Sequence, residues 1–197
     1  MDTSGTNRLE AFSDGVFAIA ATLLVLEIAV RPGNLGHELV RIWPSYLSYV
    51  TSFVVIGIIW INHHHYMRSI ERVDRTFLFI NLLLLLDVAF IPFPTKLVAD
   101  HLRRPGERDA VISYAATLLG MALLYTVWWL YARVGRRLIA PAVSDAELRA
   151  NDRAFMPGVP SYTLVMALAF VSPLAAVILT LALAAFYLPA AALFSEG

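Results

Sequence analysis

An all-α, polytopic membrane protein is the fold class this sequence predicts, and three observations carry the prediction. Of the 197 residues, 59% are apolar and 15% charged, far from the roughly 45–50% and 25% of an average soluble domain. The apolar residues gather into runs long enough to cross a hydrocarbon core of about 30 Å, which takes about 20 residues as a helix. Lysine plus arginine equals aspartate plus glutamate at 15 each, so formal net charge is zero. The long-range field that draws nucleic acid to a basic protein is therefore missing, and the expected partner is the lipid bilayer. With no cysteine, disulfides, thiolate metal sites and cysteine nucleophiles are excluded together.

Six spans are predicted within one transmembrane domain covering 1–197, at about 10–30, 45–66, 76–98, 111–133, 158–172 and 174–194. The first holds small residues (Ala18, Ala20, Ala21) that suggest a signal peptide. Asp14 interrupts its start and mostly apolar residues continue past Thr22, so a retained span is expected. The second runs into Asn62 and three histidines, and the third places Asp87 behind five leucines. The fourth ends on Trp128, Trp129 and Tyr131, rings expected as interfacial anchors. A polar connector from Arg133 to Arg153 follows, helical in part around Val143 to Asn151.

The last apolar run, Val159 to Phe194, would extend over about 50 Å at ~1.5 Å per residue, too long for one crossing. Ser172-Pro173 is its natural break, because proline removes a backbone donor and drives the preceding residue out of helical geometry. A single proline-kinked fifth helix that re-enters the membrane is the alternative. Counting loop cations for six spans, one side receives nine: Arg8, then Arg68, Arg72 and Arg75, then Arg133, Arg136, Arg137, Arg149 and Arg153. The other receives six, from Arg31 to Arg108. That bias places both termini in the cytoplasm of a cell-membrane protein.

The first span carries the most information. Advancing about 100° per residue, Phe12, Val16, Ile19, Leu23, Leu26 and Val30 form one apolar stripe with Gly15 and Thr22 at its margin. Asp14, Ala18, Ala21 and Val25 fall opposite, and their small side chains suit close packing against a neighbouring helix. Asp14 and Glu27 bracket the span, and intramembrane carboxylates rarely face lipid. The stripe then faces either lipid or a symmetry axis, and periodicity does not choose between them.

The string Arg8-Leu9-Glu10-Ala11-Phe12-Ser13-Asp14-Gly15, followed by Val16-Phe17-Ala18-Ile19-Ala20, resembles the signature that opens the first helix of the transmembrane protein 175 family of potassium channels. Trp60, Asn62, His63 and His64 at the end of the second span, and Phe90-Ile91-Pro92-Phe93-Pro94-Thr95 in the third, resemble its bacterial members too. The resemblance implies six helices per subunit, a homotetramer and a central pore lined by the first helices. It implies a constriction at Ile19, Leu23 and Leu26, with Thr22 beside it. Arg8, Phe12, Ser13 and Asp14 are expected to form a structural polar network with Trp60, Asn62, His63 or His64.

A ring of isoleucine or leucine offers no oxygen to replace ion hydration, so selection cannot follow the carbonyl-cage route. Potassium sheds water more readily than sodium, and a narrow, poorly wetted neck would favour it modestly. The function expected is a potassium-preferring, leak-like cation channel, with proton leak as a second activity; a secondary transporter or proton-coupled carrier is the alternative. No convergent nucleophile or acid–base pair suggests an enzyme, and no cofactor is expected beyond permeating potassium. His63, His64 and His65 point about 100° apart on a helix, so one metal ion cannot collect all three. Asp87 is expected either to bond donors such as Asn81 or to mark a proton path.

Overall fold

The structure is a computed structural model that describes residues 4–30 and 32–193, the side chains at 4, 154, 155 and 188–193 excepted. Arg31 and the end of the last predicted span lie outside the described residues. The described chain is helical: α1 (Ser4–Leu23), α2 (Leu35–Arg41), α3 (Trp43–Met67), α4 (Arg75–Phe90), α5 (Pro92–His101), α6 (Glu107–Arg133), α7 (Asp145–Phe155), α8 (Gly158–Val171) and α9 (Pro173–Leu193). Five helical stretches among the described residues are long and apolar enough to cross a membrane: Gly5–Glu27, Trp43–Met67, Arg75–His101, Glu107–Arg136 and Asp145–Val171. Pro173–Tyr187 is a shorter apolar helix.

Prolines set the internal breaks. Between α4 and α5, Pro92 has no N–H to give Val88, and the carbonyl of Val88 takes the Ile91 N–H at 3.2 Å instead. Thr95 then bonds the Ile91 carbonyl twice, through its backbone N–H at 3.1 Å and its hydroxyl at 2.8 Å. The same hydroxyl lies 2.8 Å from Ser52 Oγ of α3, which reaches Tyr114 of α6 at 2.9 Å, so the bend is tied to two neighbours. Ser172 is extended (φ −145°, ψ 90°) in front of Pro173, and α8 and α9 pack against each other across that break.

The core centres on α6, which packs against α4, α5 and α8, while α9 covers α3. Trp128 and Trp129 are fully buried in it. This corrects the interfacial reading of that pair: Trp128 stacks on Tyr125 and tilts against Phe77, and Trp129 lies 4.7 Å from the Tyr66 ring. Burial is available to both because each indole N–H finds an acceptor inside the fold, Asn81 for Trp128 and Asp152 for Trp129.

The first helix lies at the margin of the bundle against α3 and α4. It begins at Ser4 and passes at Leu24 into a 3-10 turn that ends at Glu27, short of the predicted Val30. Its buried side is Leu9, Ser13, Phe17, Ala20 and Leu24, spaced by three and four residues as a single helical face requires. The predicted packing side was Asp14, Ala18, Ala21 and Val25, but Ala18 and Val25 are exposed. Lipid solvates an apolar side chain as well as a helix interface does, so residue size does not set the rotation; the bond of Ser13 to Asn81 of α4 does, and it turns the Ser13 side inward.

Asp74, just ahead of α4, caps that helix by accepting the Phe77 N–H at 2.8 Å; it also accepts from the Tyr131 hydroxyl at 2.8 Å and pairs with Arg137 at 3.3 Å. The Phe77 bond, followed by Tyr131 and Arg137, holds its carboxyl below the usual carboxylate range. A depressed folded-state pKa contributes stability above the unfolded value, and that contribution is lost as pH falls through the folded one. Asp74→Ala is expected to cost about 0.5–2 kcal/mol at neutral pH, the usual cost of a lost cap. In thermal melts of detergent-solubilised protein, its deficit relative to wild type should shrink below about pH 4.

Candidate functional site

One side of α1 is anchored and the other is bare. Glu10 and Asp14, one turn apart, meet His64 and Trp60, one turn apart on the antiparallel α3. His64 Nδ1 lies 2.7 Å from Glu10 Oε1, and Trp60 Nε1 donates to Asp14 Oδ1 at 2.8 Å. Near the other end, Lys96 of α5 pairs with Glu27 at 3.3 Å and holds the 3-10 turn.

Deeper in, the anchor centres on Asn81 of α4. Its Nδ2 donates to Ser13 Oγ at 3.1 Å, and Ser13 passes its own proton to the Leu9 carbonyl at 2.9 Å. Its Oδ1 accepts from Trp128 Nε1 at 3.0 Å, and His63 Nε2 sits 3.0 Å from the same oxygen. An indole only donates, so the amide oxygen must be the atom facing Trp128 and His63 must donate from Nε2. The His63 ring is held between Phe17 and Trp128, at centroid distances of 5.4 and 5.1 Å. Four helices, α1, α3, α4 and α6, therefore meet at one amide.

Of the eight residues expected in the polar network, Ser13, Asp14, Trp60, His63 and His64 take part. Arg8 is exposed with no ion pair among the described residues, Phe12 is exposed, and Asn62 makes no side-chain hydrogen bond there. Glu10, Asn81 and Trp128 are participants the sequence reading did not assign. Asn81 carried a signal, as a lone amide in an otherwise apolar stretch. The three consecutive histidines go to three different partners, Asn81, Glu10 and Asn151. No group of three potential ligands for a metal ion occurs among the described residues. Asp87 does not meet Asn81; it lies against Gly120 of α6, and its Oδ2 is buried with no hydrogen-bond partner among the described residues.

On the bare side, Ile19 is 61% exposed, Leu23 41% and Leu26 72%. Gly15 and Thr22 are exposed beside them, and the Thr22 hydroxyl folds back on the Ile19 carbonyl at 2.9 Å. None of the three apolar residues is used by its own subunit's core.

A potassium channel of Streptomyces collinus is 46% identical to this chain over 178 residues, covering 87% of this chain and 85% of that protein. Residues 8–92 match the family described as endosomal/lysosomal potassium channel TMEM175. The chain belongs to the TMEM175 family. A crystal structure of a lysosomal potassium-selective channel TMEM175 homolog from Chamaesiphon minutus superposes with a TM-score of 0.87, at 38% identity, over 95% of this chain and 98% of that one. Chicken TMEM175, named an endosomal/lysosomal proton channel, is 29% identical over 163 residues, which is 76% of this chain and 32% of that longer protein. The family is one of ion channels. Within it, the Phe-Ser-Asp triplet here splits by face: Ser13 and Asp14 hold the helix to its subunit, and Phe12 stays on the open side with Ile19.

Replacing Asn81 with leucine leaves the Trp128 and His63 N–H groups without an acceptor and Ser13 without a donor. At about 1–3 kcal/mol for each orphaned buried group, a loss of at least about 2 kcal/mol is expected, read as a lower melting midpoint in detergent. Asn62→Leu, at an asparagine of α3 that stands outside the network, should leave the midpoint within about 0.5 kcal/mol of wild type.

Proposed function

We propose that this chain forms a potassium-preferring, leak-like cation channel of the cell membrane, a homotetramer in which four copies of α1 surround one pore. Ile19, Leu23 and Leu26 form its constriction, with Thr22 contributing a hydroxyl beside it. The observation that carries this reading is the exposure of those three apolar side chains on a membrane-spanning helix whose opposite side is clamped to its own bundle. Such a stripe meets either acyl chains or other copies of itself. Gly15, exposed next to it, favours copies, because a small residue lets membrane helices approach closely. Kinship with proteins named potassium channels points the same way.

The chemistry of the ring decides how it selects. Isoleucine and leucine side chains provide no ligand for a dehydrated ion, so passage requires an ion that keeps part of its water in a narrow neck. Potassium holds that water less tightly than sodium and meets the lower barrier. Selectivity by this route is modest and conduction slow. Proton passage belongs to the same proposal, supported by the name of the vertebrate relative. The bias of nine loop cations against six supports both termini in the cytoplasm. An obligate exchanger calls for repeated halves with matching helix breaks, whereas the breaks here, at Ile91 and Ser172, fall in unlike surroundings.

Two measurements test the reading. In liposomes, purified protein should dissipate a potassium gradient without a coupled ion. In planar bilayers, Ile19→Ala and Leu23→Ala should raise conductance and move the potassium-to-sodium permeability ratio toward unity, while Phe79→Ala, at an exposed position on α4, leaves it unchanged. Wild-type reversal potentials in both α1 variants would remove the constriction from these residues.

A further inference from the structure

The last two turns of α6 bring Thr126, Trp129 and Arg133 to one side of that helix. With Asp152 and Met156 from α7 and its junction, and Val159 of α8, they enclose a cavity of about 370 Å³. One end is polar and the remainder apolar. Asp152 holds a terminal guanidinium nitrogen of Arg133 and accepts the Trp129 indole N–H at 3.0 Å. The Nε of Arg133 is buried and has no hydrogen-bond partner among the described residues, while the rest of the side chain stays partly exposed. A guanidinium donor withdrawn from water without an acceptor is costly, and an arginine offers its donors in a fork suited to phosphate oxygens.

Position and charge narrow the ligand further. The cavity lies where the stretch Glu107–Arg136 ends and α8 begins, the depth at which headgroups meet a spanning helix. Leu130 and Met156 are exposed at its wall, which leaves a hydrophobic way out for a chain too long to fit inside. From 133 to 153 there are five arginines and three carboxylates. Arg149 and Arg153, one turn apart on α7, are exposed and have no ion pair among the described residues. A headgroup that carries its own amine would bring a cation to that surface, whereas a headgroup with net negative charge is attracted.

The geometry points to a binding site for an anionic phospholipid between α6, α7 and α8. Its phosphate meets the accessible part of the Arg133 guanidinium, whose side chain is 35% exposed, and its glycerol and first methylenes lie along Trp129, Met156 and Val159. The volume admits that portion of a lipid and not the whole molecule, so the acyl tails continue over the exposed side chains at the rim. The site is remote in sequence and in packing from the α1 stripe, and it is tested by lipid binding, independently of conduction.

The experiment uses delipidated protein and three probes: phosphatidylglycerol, phosphatidylcholine and oleate, read by native mass spectrometry and by melting midpoint in detergent. Phosphatidylglycerol should be retained and should raise the midpoint clearly more than phosphatidylcholine or oleate does. Met156→Trp fills the cavity from an exposed position and should abolish that difference. Arg133→Gln should weaken phosphatidylglycerol retention roughly tenfold, the scale of one charge-assisted hydrogen bond. If Arg133→Gln does not fold, Met156→Trp decides alone. Equal binding of the two phospholipids, tighter binding of oleate than of phosphatidylglycerol, or an undiminished phosphatidylglycerol effect in Met156→Trp would each overturn the assignment.

Discussion

Everything about α1 follows from one constraint: a helix that spans a membrane gains little from burying grease against grease, so polar bonds must hold it in place. Asn81 is where that constraint is met. Its amide joins Ser13 of α1, His63 of α3 and Trp128 of α6, with every partner in a role its chemistry allows. The bonds of Glu10 with His64 and of Asp14 with the donating Trp60 indole extend the hold over a further turn of the same antiparallel pair. Because these contacts fix the rotation of α1, they also decide which side chains it leaves uncovered.

The uncovered side is thus a consequence of the anchored one. Leu9, Ser13, Phe17, Ala20 and Leu24 enter the subunit, and the stripe from Phe12 through Ile19 to Leu26 is left outside. A channel built this way separates two tasks on a single helix. Hydrogen bonding to other helices is confined to the subunit side, where it sets orientation, and the side proposed to line the pore is left apolar. In the channel we propose, an apolar neck sieves ions by hydration while the bonds behind it hold its walls in place.

The connector between α6 and α8 follows different rules. There the polar connector folds into α7, which starts at a capping box between Ser144 and Glu147 and returns Asn151 and Asp152 to the ends of α3 and α6. Its arginines outnumber its carboxylates, and the Nε of half-buried Arg133 has no acceptor among the described residues. A soluble protein would hydrate such a group. At the edge of a bilayer, the nearest oxygen-rich species is a lipid headgroup.

Composition and run length determined the membrane class of this protein, because apolar length is what a bilayer demands. The spacing of Phe12, Ile19, Leu23 and Leu26 predicted a common side, since helical periodicity is a property of the local chain. The Arg8 to Gly15 string identified the family that the relatives establish. Only the tertiary structure decided which residues complete the anchor. The bond between Asn81 and Ser13 spans 68 positions and that between Trp128 and Asn81 spans 47, and pairings at such separations leave no trace in local pattern. The same reason explains the tryptophans: an indole reads as interfacial until a buried acceptor is found for it, and Asn81 and Asp152 come within reach only after the chain has folded.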